Sequence, residues 1–135
     1  MKTKTIVPII ICIAAAFLLY MNLNVSVPEG YVDLDAVAAQ SQLAQSSDVQ
    51  IIDVRTPAEF LDGHIEGARN IDFYGKDFEG ELKELDRNAQ YFIYCRTGNR
   101  SSSALKLMHR LGFTKVWHLH RGIVDWKGSG LPLVK

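Results

Sequence analysis

The stretch Gln90-Tyr91-Phe92-Ile93-Tyr94-Cys95-Arg96-Thr97-Gly98-Asn99-Arg100-Ser101 decides the fold. Tyr91 to Tyr94 is an unbroken run of aromatic and β-branched residues, the pattern of a strand covered on both faces of a mostly parallel sheet. From Ser101 to Leu111 the period changes. Ala104, Leu107, Met108 and Leu111 recur at i, i+3, i+4 and i+7, and Gly112 follows as a stop, so this segment reads as a helix. Cys95 to Arg100 must therefore link the carboxyl end of a strand to the N-terminus of a helix. In an open α/β sheet, sites form at such links. The backbone N–H groups of the loop, the positive end of the helix and the two arginines all favour an anion there. A Cys95 thiolate is such an anion, so its titration is expected below the free-thiol value of about 8.5.

The same alternation extends outward from this unit. Val49-Gln50-Ile51-Ile52-Asp53-Val54 reads as a second strand, followed by Thr56-Pro57-Ala58-Glu59: an N-cap, a proline at the first helical position and a capping-box glutamate, opening a short helix that stops at Gly63. Lys115 to Leu119 reads as a third strand. Tyr31 to Leu34 and Asp35 to Ala44 read as a strand and a weaker helix. Asp77 to Arg87 is a polar helical stretch with Phe78, Leu82 and Leu85 on one side. Together these segments describe an α/β layered domain over residues 28–135, with helices on both faces of a mostly parallel sheet.

The chain has 135 residues, with 15 Lys+Arg against 15 Asp+Glu, and this balance excludes a nucleic-acid binder held by a general basic field. Two cysteines, Cys12 and Cys95, exclude a disulfide framework and a four-cysteine metal site. Charge is divided along the chain. Residues 28–94 carry 5 basic and 14 acidic side chains, whereas residues 95–135 carry 8 basic and only one acidic, Asp125. The basic portion begins at Cys95, which again favours an anion site there.

The N-terminus is of a different kind. Lys2 and Lys4 precede Ile6 to Met21, 16 residues without a charge, and the uncharged continuation to Val27 brings about 22 residues to a length that can cross a bilayer. The only alanine cluster, Ala14 to Ala16, lies inside the apolar run, where a cleavage site does not belong. Residues 1–27 are therefore expected to be an uncleaved signal anchor, with a cleaved signal peptide as the alternative. Lysines before the span place residues 28–135 on the exported side of the membrane, periplasmic in a bacterium.

Asp53-Val54-Arg55, Glu59-Phe60, Gly63-His64-Ile65, Gly67-Ala68 and Asn70-Ile71, followed by the Cys95 to Arg100 loop, resemble the two signatures of the rhodanese family of sulfurtransferases, and the likeness covers nearly all of residues 28–135. A third element, Leu119 to Trp126, is kept in part, with Arg121 where many members have a first glycine. The resemblance implies catalysis by Cys95 and Arg100. Arg96, Thr97, Gly98, Asn99 and Arg100 would bind the substrate, the loop N–H groups from Arg96 to Arg100 would cradle the persulfide, and Asp53 and Arg55 would support the loop. The implied reaction moves a sulfane sulfur from thiosulfate or another small anionic donor, through a Cys95 persulfide, to cyanide, a thiol or a protein thiol partner. No metal or organic cofactor is implied. Related Cys-Arg phosphatases place five residues between nucleophile and arginine, whereas four lie between Cys95 and Arg100, a ring better sized to sulfur than to phosphate. Alternatives sharing these residues are a persulfide carrier or redox-binding module serving a protein partner and, further off, a phosphatase or arsenate reductase.

Other polar residues have plainer readings. His64 reads as a hydrogen-bonded turn residue. His118 and His120, two apart on one strand, would share a face, but they lack the further ligands of a metal site. Ser101, Ser102 and Ser103 read as a helix cap, with no base and orienter expected beside them. Trp117 and Trp126 belong to the core or to the wall of a pocket.

Overall fold

The structure, a computed structural model, describes residues 29–135. The expected anchor, Ile6 to Met21 with Cys12, and its boundary at residue 27 lie outside the described residues. Among the described residues no helix is long and apolar enough to cross a membrane.

Five strands, β1 (Tyr31–Leu34), β2 (Val49–Asp53), β3 (Arg69–Asn70), β4 (Gln90–Tyr94) and β5 (Val116–Leu119), form one sheet in the order β1-β5-β4-β2-β3. All four pairings are parallel. The helices are α1 (Ala36–Ala44), α2 (Pro57–Leu61), α3 (Phe78–Lys83), α4 (Asn99–Arg110) and α5 (Gly122–Gly128). Successive side chains of a strand face opposite ways, and β4 shows the result. Tyr91, Ile93 and Cys95 join Ala104 and Met108 of α4 and Leu82 of α3 in one core, while Phe92 and Tyr94 join Ala39 of α1 and Trp126 of α5 in the other. Tyr91 through Tyr94 are all fully buried, which is why their sequence shows no polar alternation. Ala36 and Ala39, both buried, let α1 lie close to the sheet.

The strands and helices read from sequence are present, with adjusted limits. The helix over Asp77 to Arg87 is shorter, ending at Lys83. Beyond it the Asp86 carboxylate accepts the Asn88 N–H at 2.9 Å, a local bond that favours a turn over another helical turn. α4 begins at Asn99, and its N-cap is Gly98 rather than the serines. Ser101 and Ser102 instead turn their hydroxyls back to the Gly98 carbonyl, at 3.1 and 2.7 Å. The two-residue β3 and the helix α5 are additional elements. The N-terminus of α1 is held from α5 by Asp125, whose carboxylate accepts the Ala36 N–H at 2.8 Å.

Candidate active site

Cys95 follows the last residue of β4 at the carboxyl edge of the sheet, and only 1% of its surface is exposed. Its Sγ accepts the Gly98 N–H at 3.1 Å and lies 3.3 Å from the Ser101 hydroxyl. Burial pushes the thiol's titration up. Hydrogen bonds from the Ser101 hydroxyl and from the N–H groups of Ser101, Gly98 and Thr97 outweigh burial and leave it below its ordinary value. The direction matches the sequence-based expectation, but the leading favourable cause is this set of short-range donors rather than the flanking arginines. Among the loop N–H groups, that of Gly98 makes the direct bond to this sulfur.

Two glycines allow the loop its path. Gly98 has φ +102°, and a Cβ there would run into the His120 carbonyl. Gly122 has φ +69° and lies so close to the Arg96 carbonyl that a Cβ would overlap it. The start of α5 then fastens the loop, because Ile123 and Val124 donate N–H bonds to the carbonyls of Cys95 and Arg96 at 2.9 and 3.2 Å. Arg121, just before this contact, is exposed and has φ −100°, a conformation that does not require glycine.

Arg100 does not extend free into a binding site. Its Nη1 and Nη2 each donate to the Glu59 carboxylate, both at 2.8 Å, and Tyr74 packs against the guanidinium with the ring centroid 5.7 Å away. Glu59 also completes the capping box of α2 by accepting the Thr56 N–H at 3.0 Å. The Arg100 hydrogen bonds lower the Glu59 titration to about 2, and the carboxylate in turn strengthens the charge on Arg100. Arg96, Thr97 and Asn99 are exposed at the loop rim. Arg96 also lines a pocket of about 210 Å³ with Arg55, Glu59, Val124 and Lys127.

Asp53 and Arg55 form a buried pair behind the loop. The Arg55 Nη2 donates to Asp53 at 2.7 Å and to the Gly63 carbonyl at 2.7 Å, and the Arg55 backbone N–H donates to Asp53 at 2.9 Å. Asn70 bridges the carbonyls of Asp53 and Arg55. Val54 donates to the Tyr94 carbonyl at 3.0 Å, so the brace reaches the residue before Cys95. His64 is hydrogen-bonded as expected, donating to the Phe60 carbonyl at 2.9 Å and stacked on the Phe60 ring, but it lies in an antiparallel bridge with Val134 rather than in a turn, because the two residues exchange backbone N–H bonds at 2.9 Å. Trp126 is buried in the second core, and Trp117 packs against it.

The serine reading needs correcting. His118 Nε2 is 2.8 Å from the Ser101 hydroxyl, and His118 Nδ1 is 2.7 Å from an Asp33 carboxylate oxygen. A base and an orienter do accompany Ser101. His120 does not join His118 but bonds the Leu34 carbonyl at 3.0 Å. No sequence motif marks Asp33. Its pairing with His118 depends on β1 lying beside β5, where the two residues are register partners.

A family model described as the Rhodanese-like domain matches residues 36–129. A sulfurtransferase of Allochromatium vinosum is 32% identical over 102 residues, covering 76% of this chain and 94% of the relative. A thiosulfate sulfurtransferase of Ectopseudomonas mendocina is 32% identical over 91 residues, 67% of this chain and 81% of the relative. Among solved structures, a rhodanese-related protein of Thermoplasma volcanium superposes with a TM-score of 0.62 at 30% identity, over 77% of this chain and 98% of that one.

Proposed function

This chain belongs to the rhodanese family of sulfurtransferases, and on that premise we propose that it takes a sulfane sulfur from thiosulfate or a similar anion and passes it through a Cys95 persulfide to cyanide or a thiol. The Cys95 thiolate attacks the outer sulfur of the donor. The new S–S bond forms as the donor's own S–S bond breaks, and sulfite leaves with the electron pair. The acceptor then attacks the outer sulfur of the persulfide, and the Cys95 thiolate leaves. The N–H groups that hold the thiolate also suit the leaving thiolate of the second step. Arg96, exposed at the rim beside Lys127, is the cation placed to receive the donor's sulfonate end, with Thr97 and Asn99 beside it. Arg100 contributes a fixed positive charge, aimed by Glu59.

The observation that carries this reading is the buried Sγ with N–H and O–H donors already aimed at it. Four residues between Cys95 and Arg100 favour a single sulfur over a phosphate group with three further oxygens. Rates on thiosulfate with cyanide and on an aryl phosphate test the choice: thiosulfate turnover with negligible phosphate hydrolysis is expected, and comparable rates would refute it. Weak thiosulfate turnover with fast transfer to a protein thiol would instead reassign the chain as a sulfur carrier.

The apolar run behind Lys2 and Lys4 supports a second proposal, that residues 1–27 anchor the domain to a membrane with residues 28–135 on the exported side. A reporter fused after Lys135 should then be active only outside the cytoplasm, with the protein retained in membranes after alkaline washing. A soluble product beginning near Pro28 would establish cleavage instead.

A further inference from the structure

From Cys95 a continuous file of hydrogen-bonding groups leads to the surface: Sγ to Ser101 Oγ at 3.3 Å, Oγ to His118 Nε2 at 2.8 Å, and Nδ1 to Asp33 at 2.7 Å. Three elements supply it, α4, β5 and β1. The His118 side chain is 3% exposed and that of Asp33 is 51% exposed, so the file begins at a buried sulfur and ends in water. We propose that Ser101, His118 and Asp33 form a proton relay that takes the Cys95 thiol proton when the thiolate forms and returns it when the thiol is restored. This deepens the sulfur-transfer reading and rests on it, since the relay serves the nucleophile of that reaction.

Hydrogen accounting supports the relay. An ionised Asp33 only accepts, so His118 Nδ1 carries a hydrogen, and a neutral His118 then presents a lone pair at Nε2. Ser101 has one hydroxyl hydrogen and three acceptors within reach: His118 Nε2, the Gly98 carbonyl and Sγ. With Cys95 as the thiol, S–H donates to Oγ and the hydroxyl donates to Nε2. As the S–H proton passes to Oγ, the hydroxyl proton passes to Nε2. The thiolate now accepts from the hydroxyl, the hydroxyl accepts from Nε2–H, and the imidazolium donates to the Asp33 carboxylate. Every group is paired in both states, and two protons move one bond each with no other reactant. The Gly98 N–H bonds the sulfur throughout.

The surroundings place His118 in the right starting form. It is faced by Asp33 from β1, by Ser101 from α4 and, beyond Ser101, by Cys95 just after β4; His120, two residues further along the chain, opposes a second positive charge. Burial lowers its titration, with Asp33 pulling the other way, so it waits as a neutral base beside a carboxylate able to stabilise its charged form. Arg100 takes no part, being turned to Glu59. Ser101 touches the reacting atom, whereas His118 and Asp33 are positioning residues that act through it.

The test is the pH profile of Cys95 alkylation by iodoacetamide, a neutral reagent that reports the thiolate without any sulfur donor. It is performed on the full chain and read on the Cys95 peptide so that Cys12 does not contribute. Asp33→Asn is the first variant, because its half-exposed side chain can be exchanged without opening the core. It should move the inflection up by about one unit, an alkylation roughly tenfold slower below it. His118→Gln keeps hydrogen-bonding atoms beside Ser101 but cannot take the proton, and should shift the inflection at least as far. Profiles of folded variants that superimpose on the parent would overturn the relay. Intact mass after thiosulfate treatment separates the two readings: superimposed profiles in a protein that gains sulfur refute the relay alone, while shifted profiles in a protein that gains none uphold the relay and refute sulfur transfer.

Discussion

Glu59 serves two purposes with one carboxylate: it caps α2 and it fixes Arg100 beside the loop. Arg100 lowers its titration to about 2 from an ordinary 4.5, so its contribution to stability is complete above the ordinary value and is lost as pH falls through that interval. In Glu59→Gln the drop in Tm between about pH 5 and pH 2 should be shallower than in the parent, by thermal melts across that range. An equal slope would mean that the pair adds nothing to stability. The same substitution frees Arg100 to wander, and thiosulfate turnover should fall about ten- to a hundredfold, the usual consequence of a misplaced charge. At Cys95 the residue scale also sets what could be read in advance. A cysteine before two arginines and a helix start pointed to a thiolate, but which groups stabilise it depends on distances of about 3 Å that no spacing reveals.

Among the elements, the loop between β4 and α4 derives its shape from α5, a helix that no periodicity announced. α5 is short and bounded by Gly122 and Gly128, and two glycines at its ends read as turn signals. The strands were legible because burial on both faces demands β-branched and aromatic runs, and α2 because its capping box is a local chemical device. The apolar pattern of Phe78, Leu82 and Leu85 continues past the end of α3 at Lys83, and it does not register the turn that the Asp86 carboxylate holds beyond it. Gly98→Ala tests how tightly the elements grip the loop. A φ of +102° costs an L-residue about 1–3 kcal/mol, and its Cβ meets the His120 carbonyl, so the cost should lie at or above that range. Denaturant melts should show it, together with sulfur-transfer activity reduced far beyond any loss of folded protein. A fully active and stable Gly98→Ala would show that the loop tolerates another path.

For the whole molecule, the parallel order β1-β5-β4-β2-β3 is what sequence could not supply and what assembles the site. Asp33 and His118 are 85 residues apart and become partners only because β1 closes the edge beside β5. The Asp53–Arg55 brace, by contrast, is local, and its residues were already marked by the family signature. The central claim is that Cys95 accepts a sulfur atom, and intact-mass measurement of the full chain after exposure to thiosulfate tests it most directly. The parent protein should gain one sulfur and lose it again on adding cyanide, and Cys95→Ser should gain none. A parent protein that gains no sulfur, or a Cys95→Ser variant that gains as much through Cys12, would contradict the account.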